Sequence, residues 1–175
     1  MTLIRTAMAG DRSAIRAVVR AAFDDDGPVD LIERVWAAAE YLPDLDLVAE
    51  EGGAVVGHVL HHTGYVVDRS PARGGLADRF AVVALTPLAV APDQQRRGIG
   101  TALVREGIAR ANAAGHPVIQ VLGHPDYYPR FRFVGARSIG ITPNIPLSTE
   151  PDPFMALRLD AYDESIKGEF RYCWE

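Results

Sequence analysis

The chain offers little cysteine chemistry. Among its 175 residues Cys173 is the single cysteine, which excludes an internal disulfide. One thiol also lacks the ligand spacing of a zinc site, and no neighbouring histidine or asparagine suggests that it is activated. We therefore interpret Cys173 as an incidental residue rather than a catalytic nucleophile.

Long apolar segments are missing as well. No apolar run approaches the roughly 20 residues that span a membrane, and the N-terminus lacks a basic segment followed by an apolar signal core. These absences favour a cytoplasmic protein without a membrane partner. The formal net charge of −5 argues against nucleic acid as a main partner. With 48% apolar and 23% charged residues, the composition fits one folded domain over 1–175.

The apolar pattern predicts helices and strands that alternate in a mixed α/β chain. The first helix is predicted to be capped by Asp11 and carries Ile15, Val18, Val19 and Phe23 at helical spacing. The other predicted elements are a strand over 2–6, a helix from Pro28 to about Tyr41, a hairpin of 46–50 and 54–65, a loop over 68–78, a strand over 80–90 interrupted by Pro87, a helix over 99–114, a strand over 118–122, a helical turn over 127–131, strands over 133–138 and 154–159, and a surface connection over 138–153.

The most informative segment joins an apolar strand to the clearest predicted helix. It reads Leu88-Ala89-Val90-Ala91-Pro92-Asp93-Gln94-Gln95-Arg96-Arg97-Gly98-Ile99-Gly100-Thr101. Exposed N–H groups at a helix N-terminus favour phosphate, and Gly98 and Gly100 let the backbone approach a ligand closely. Arg96 and Arg97 add positive charge. The segment therefore predicts a pyrophosphate site, although it lacks the Gly-Lys-Ser/Thr of a P-loop and the Gly-x-Gly-x-x-Gly spacing of a dinucleotide site.

These residues carry a family resemblance. Gln95-Arg96-Arg97-Gly98-Ile99-Gly100 matches the Gln/Arg-x-x-Gly-x-Gly/Ala motif of the GNAT superfamily of acyl-CoA-dependent N-acyltransferases. The segment from Gly123 to Phe131, with Tyr128 and then Phe133 at the family's spacing, resembles a bacterial branch of small stand-alone N-acetyltransferases. The resemblance is firmest over 80–137.

The resemblance implies a fold and a cosubstrate. The fold is a twisted mixed β-sheet of six to seven strands, flanked by helices and splayed at the strand that ends near Val90. The cosubstrate is acetyl-CoA, with its pantetheine arm in the splayed gap, and no metal is implied. The residues whose backbone would bind it are Leu88, Ala89 and Val90 for the pantetheine and Arg96, Arg97, Gly98, Ile99, Gly100 and Thr101 for the pyrophosphate.

The implied reaction is direct attack of a neutral amine on the acetyl thioester. Tyr128 stands where the family has a tyrosine that donates to the departing sulfur, so the resemblance makes it the general acid. Gln120 lies where some relatives carry a glutamate as general base, and glutamine cannot accept a proton. The base is left open among His124, Glu50 and a relay through water.

A second departure from the family pattern lies in the aromatic segment. Arg132 stands between Phe131 and Phe133, where members usually have glycine. The turn must therefore avoid positive φ or tolerate the strain of a non-glycine residue in that region. We expect the fold to survive this substitution.

Three histidines near one another suggest a metal, but their spacing opposes it. In a strand, His58 and His62 lie on one face and His61 on the other. A metal site needs a third convergent ligand, which the sequence does not supply. We therefore predict no metal.

The acceptor is expected to be a primary amine. The loops over 68–78 and 138–153 favour a small molecule over an extended peptide, and we interpret the acidic run 24–26 as a solvated loop. One alternative is a non-catalytic acyl-CoA-binding regulatory module, which Gln120 favours and Tyr128 opposes. The other is acetylation of a protein N-terminus or lysine. Similarity to proteins that dimerise leaves a homodimer open.

Overall fold

A computed structural model describes residues 1–68, 78–147 and 151–174 of the chain. The helices are α1 (Arg12–Phe23), α2 (Gly27–Ala37) and α3 (Ile99–Ala113). The strands are β1 (Leu3–Thr6), β2 (Leu47–Glu51), β3 (Ala54–Asp68), β4 (Asp78–Val90), β5 (Val118–Leu122), β6 (Val134–Gly135), β7 (Ile141–Pro143), β8 (Phe154–Arg158) and β9 (Gly168–Arg171). Among the described residues, no helix combines the length and the apolar character needed to cross a membrane.

The chain forms two compact units, and each unit draws on separate segments of the sequence. The first unit contains Met1–His62 and Leu85–Arg110, and the second contains Thr63–Ala84 and Ala111–Glu175. Consequently β3, β4 and α3 each contribute residues to both units.

The first unit is organised around an antiparallel β1–β2–β3 arrangement. Leu3 lies opposite Glu50, and Leu47 lies opposite Val59. The β2–β3 turn is made by Gly52 and Gly53, whose φ angles of 58° and 81° lie in the left-handed region that glycine tolerates. The predicted hairpin is therefore confirmed.

The first two helices differ from the prediction at their ends. Ile15, Val18 and Val19 are buried, but Phe23 is 43% exposed because α1 ends there, before Asp24 in the left-handed region. Phe23 therefore lies outside the buried face of α1. The α2 helix ends at Ala37 rather than near Tyr41, since the next residue is already extended.

Asp11 has a different role from the predicted helix cap. No side-chain capping hydrogen bond is present at the start of α1. The Asp11 carboxylate instead accepts from the guanidinium of Arg5, at 2.6 Å and 2.9 Å, and from the Met8 N–H at 2.7 Å. The charged guanidinium of Arg5 thus binds the carboxylate oxygens that would otherwise accept from an N–H in the first turn of α1.

The second unit contains an antiparallel β5–β8–β6 arrangement and a parallel β7–β9 pair. Gln120 of β5 lies opposite Ala156 of β8, which in turn pairs with Val134 of β6. The β9 strand also pairs with β3, antiparallel. The core of the second unit includes Val66, Val82, Ala84, Val118, Phe154, Ile166 and Phe170. Antiparallel and parallel pairs together confirm the mixed α/β expectation.

The described residues contain nine strands rather than six to seven. The additional strand β7 lies inside the expected surface connection, and β9 follows the strand expected to be last. The strand predicted over 133–138 is shorter, because β6 passes into a 3-10 turn at Ala136–Ile139. The β4 strand continues through Pro87, whose preceding peptide bond is cis. Most of the loop predicted over 68–78 lies outside the described residues.

Candidate functional site

The turn between β4 and α3, in the first unit, has the backbone geometry of an anion site. Arg96 and Gly98 have φ angles of 62° and 87°, so left-handed residues alternate with others along the turn. Such alternation turns successive N–H groups into a concave nest. Within the described part of the chain, no backbone carbonyl accepts from the N–H groups of 95–101. We call this turn, residues 95–101, the cradle.

The side chains of the cradle leave the space above Gly98 open. A Cβ added at Gly98 would meet no heavy atom within 4 Å. Arg96, Arg97 and Gly98 are exposed. Arg97 is directed to Glu51, with 3.1 Å between Nη1 and Oε2. The space at the Gly98 Cβ position is therefore open to a ligand.

The helix that carries the cradle is fixed by close packing. Ile99 and Leu103 are 3% and 0% exposed. A Cβ at Gly57 of β3 would lie only 3.0 Å from Ile99 Cγ2 and 3.1 Å from Leu103 Cδ1. Glycine at this position thus lets α3 approach the strand and holds its first turn in place.

The strand end before the cradle matches its predicted position. Leu88 and Val90 are half-buried at the end of β4, and Ala89 between them is buried. The Val90 carbonyl accepts from Gln95 Nε2 at 3.2 Å. Gln95, the first residue of the motif, therefore occupies the last carbonyl of the strand. Gly100 and Thr101 are half-buried in the first turn of α3.

Tyr128 lies in the second unit, at the start of a 3-10 turn, Tyr128–Phe131. Its side chain is 6% exposed, and its ring lies 5.4 Å from that of Phe133. Burial raises the pKa of the Tyr128 hydroxyl above its ordinary value. A Cβ at Gly123 would overlap the Tyr128 ring, so glycine there is what makes room for it. Tyr128 is consequently a protonated phenol in a fitted slot.

The two departures from the family pattern are accommodated in different ways. Arg132 adopts a φ of 71°, so the turn tolerates positive φ rather than avoiding it, and its N–H donates to the Pro129 carbonyl at 2.9 Å. Gln120 is 1% exposed, and its amide nitrogen has no hydrogen-bond partner among the described residues.

The other base candidates have distinct surroundings. Glu50 is ion-paired with Arg5 at 2.8 Å. His124 is exposed in the segment after β5, and its carbonyl accepts from the Tyr127 N–H at 3.0 Å. The Glu50 carboxylate is thus already paired with Arg5, whereas His124 is exposed.

Sequence reasoning missed a buried polar cluster in the first unit, which we call the Asp46 cluster. Three groups donate to the Asp46 carboxylate: Trp36 Nε1 at 2.8 Å, the Tyr41 hydroxyl at 2.8 Å and His58 Nε2 at 2.7 Å. Burial opposes ionisation of Asp46, but the hydrogen bonds outweigh it and hold the pKa below its usual value. The only signal in the sequence is a charged residue at the edge of an apolar strand.

All three neighbouring histidines are fully buried. His61 Nδ1 lies 2.7 Å from the Leu45 carbonyl, and burial lowers the pKa of His61 from 6.5 to about 4. A carbonyl can only accept, so Nδ1 carries the proton and donates. Gly107 of α3 faces this ring, since a Cβ there would lie 2.8 Å from His61 Nε2. Across the described ranges, no group of histidine, cysteine or carboxylate side chains is placed to hold a metal ion.

Comparison with known proteins agrees with this geometry. The sequence model of the acetyltransferase (GNAT) family matches residues 14–129. The chain is 36% identical over 123 residues to the uncharacterized N-acetyltransferase YjhQ of Escherichia coli K12. That match covers 70% of this chain and 64% of YjhQ, so it spans less than two thirds of the relative's length.

Solved structures give the same result over nearly the whole chain. The GNAT family N-acetyltransferase YhbS from Escherichia coli, solved in complex with CoA, is 28% identical with a TM-score of 0.83, covering 98% of this chain and 89% of that one. A GNAT family acetyltransferase from Brucella melitensis, solved in complex with acetyl-CoA, is 27% identical with a TM-score of 0.75, covering 98% and 96%. The motif, the fold and the matched family model lead to one conclusion: this chain belongs to the acetyltransferase (GNAT) family.

Proposed function

We propose that the protein transfers an acetyl group from acetyl-CoA to the primary amine of a small molecule. The observation that carries the proposal is the cradle, where the N–H groups of 95–101 have no backbone acceptor in the described chain. Two similar GNAT structures are complexes with CoA and acetyl-CoA. A helix N-terminus with open N–H groups suits the pyrophosphate that both ligands carry.

Two backbone segments bind different parts of the ligand. The N–H groups of Arg96 to Thr101 bind the pyrophosphate, and the end of β4, Leu88 to Val90, pairs with the pantetheine amides. Because Gln95 Nε2 already donates to the Val90 carbonyl, pantetheine pairing at that carbonyl shares or displaces this bond. Side-chain charge is secondary to these main-chain contacts.

The reaction forms a C–N bond and breaks the C–S bond of the thioester. The amine nitrogen loses one proton, and the departing sulfur gains one. Tyr128 is the general acid: its buried phenol stays protonated at neutral pH, so it can donate to the sulfur as negative charge develops. Since Arg5 occupies Glu50, a water relay or His124 is the better candidate to accept the amine proton.

The cradle is tested by calorimetric titration with CoA and with ADP. We expect wild type to bind at micromolar concentrations and Gly98→Asp to lose at least about 100-fold in affinity, because a carboxylate would enter the space of the diphosphate. Gly115→Asp is the matched control: Gly115 also has a positive φ, 76°, and open space at its Cβ position, but it follows the other end of α3. Folded wild type that binds neither ligand would refute the proposal.

The role of Tyr128 is tested by Tyr128→Phe, which keeps the ring packing and removes the hydroxyl. We expect kcat for thiol release, assayed with a panel of primary amines, to fall by about 100-fold, the lower range for loss of a general acid. The affinity for CoA should stay within about twofold. Tyr127→Phe removes the neighbouring hydroxyl and should leave kcat near wild type. Equal losses in both variants would remove Tyr128 from its assigned role.

A non-catalytic acyl-CoA-binding module is the second candidate. Gln120 supports it, since this buried side chain cannot serve as a base. The two candidates separate in the same assay. CoA binding without transfer to any amine, and without hydrolysis of the thioester, would favour the binding module.

A further inference from the structure

An acidic side chain from a distant part of the sequence lies against the cradle. Glu51 ends β2, 46 residues before Arg97. Its Oε2 is 3.1 Å from Arg97 Nη1, and the two side chains are 21% and 53% exposed. The guanidinium that the motif places beside the proposed pyrophosphate site is therefore already paired with a carboxylate.

Glu51 is held in this position by a second partner. The Thr2 hydroxyl donates to Glu51 Oε1, while Arg97 also contacts the side-chain oxygen of Gln94. The hydrogen bond from Thr2 and the charge of Arg97 keep the pKa of Glu51 below its usual value. Glu51 is consequently a carboxylate anchored beside the cradle at neutral pH.

A carboxylate at this place acts against an anionic ligand in two ways. It competes with the diphosphate for the Arg97 guanidinium, and it repels the diphosphate directly. Both effects act in the same direction and weaken binding.

We propose that Glu51 is an affinity-lowering residue of the cradle, which competes with the pyrophosphate of CoA for Arg97. The inference rests on the proposed function of the cradle. It assigns to the β2–β3 hairpin a role in setting the affinity for CoA, through the charge of the ligand's diphosphate and not through its pantetheine arm.

The test is calorimetry of wild type and Glu51→Gln with three probes: CoA, ADP and pantetheine. Glutamine keeps the shape of the side chain and an oxygen for Thr2, so the variant should fold. We expect CoA and ADP to bind about three- to tenfold more tightly and pantetheine to be unaffected, because only the first two carry a diphosphate. The gain should shrink in 1 M salt, where the Debye length is about 3 Å.

Two further variants separate competition for Arg97 from a general effect of charge. Glu106→Gln removes one negative charge and breaks a similar ion pair, with Arg110 at 2.8 Å, on the helix that carries the cradle. It should leave ADP affinity within about twofold. In an Arg97→Gln background, the gain from Glu51→Gln should be smaller than in the wild-type background, because the contested guanidinium is gone and only direct repulsion remains.

Each contrary result has a distinct meaning. Unchanged or weaker ADP binding in Glu51→Gln would overturn the inference while leaving the cradle intact. An equal gain in Glu106→Gln, or a full gain without Arg97, would overturn competition for the guanidinium. Wild type that binds neither CoA nor ADP would refute the cradle itself, and the inference with it.

Discussion

Two polar regions of the first unit are built in opposite ways. In the Asp46 cluster, side-chain donors from α2, from β3 and from Tyr41 between them converge on one carboxylate that is 1% exposed. In the cradle, the N–H groups have no backbone acceptor within the described chain, and residues 95–98 are exposed. A closed set of hydrogen bonds stabilises the fold, whereas an open set of donors is free to bind a ligand. The two regions therefore differ in whether their donors already have acceptors: His58 belongs to the first region and Gly98 to the second.

The largest expected effect on stability is at Asp46. Asp46→Ala leaves the buried donors of Trp36 and His58 and the half-buried hydroxyl of Tyr41 without their acceptor. We expect the free energy of unfolding, measured by urea denaturation, to fall by about 3–5 kcal/mol. ADP affinity of the folded protein should stay within about twofold, since the cluster closes on itself.

Asp44→Ala is the control for that prediction. It removes an exposed carboxylate two residues away, in the 3-10 turn Pro43–Leu45 that precedes Asp46. The free energy of unfolding should change by no more than about 0.5 kcal/mol. Comparable losses in the two variants would mean that the Asp46 cluster contributes nothing special.

Burial of His61 makes the free energy of unfolding depend on pH. Its folded-state pKa of about 4 lies below the unfolded value of 6.5, so the unfolded chain takes up a proton first as pH falls. The stability that neutral His61 provides is complete above pH 6.5 and declines toward pH 4, by up to about 3 kcal/mol. His61→Asn retains a donor for the Leu45 carbonyl and should flatten this slope in urea denaturation.

His124→Asn is the matched control, because that histidine is exposed. Its pH profile of unfolding free energy should follow wild type. A profile that is equally steep in wild type and His61→Asn would show that other groups cause the decline.

The smallest expected effect lies in the cradle, at Arg96. Its φ of 62° strains any residue with a Cβ, so Arg96→Gly should raise the free energy of unfolding by about 0.5–1 kcal/mol. Arg96→Ala keeps the strain and should show no gain. Both variants lose the guanidinium, so any change in CoA affinity that they share, measured by calorimetry, reports that charge alone. A gain in alanine equal to that in glycine would contradict the strain argument.

The strand–turn–helix around the cradle could be predicted because each part has a local signal. The apolar run of β4, the helical spacing of Ile99 and Leu103, and Gly115 as a stop all agree with the structure. The exposed N–H groups were predicted too, because they follow from a helix N-terminus. The Glu51 carboxylate beside Arg97 could not be predicted, since it comes from a segment 46 residues away. The φ of Arg132 was undecided, because both conformations are compatible with its neighbours in sequence.

Long-range pairing explains the errors. The β9 segment Gly168–Arg171 has one large apolar residue, Phe170, and β7 contains a proline, so neither carries a strong strand pattern. They become strands by pairing with each other. Alternation correctly assigned the histidines to opposite faces of β3, but it could not show that both faces are covered. The Asp46 cluster was missed because the partners of Asp46 are 5 to 12 residues away in the chain.

The shared strands and helix have a practical consequence for dissecting this protein. The boundaries between units fall after His62, Ala84 and Arg110, inside β3, β4 and α3 rather than in loops. A break at any of them would divide a hydrogen-bonded element, so neither unit can be expressed as one uninterrupted fragment. Insertion of a reporter or a new terminus is better tolerated at the Gly52–Gly53 turn, where both glycines are exposed and a Cβ would meet nothing within 4 Å. Insertions and new termini should therefore be placed in turns of this chain and not inside the strands and helix that the two units share.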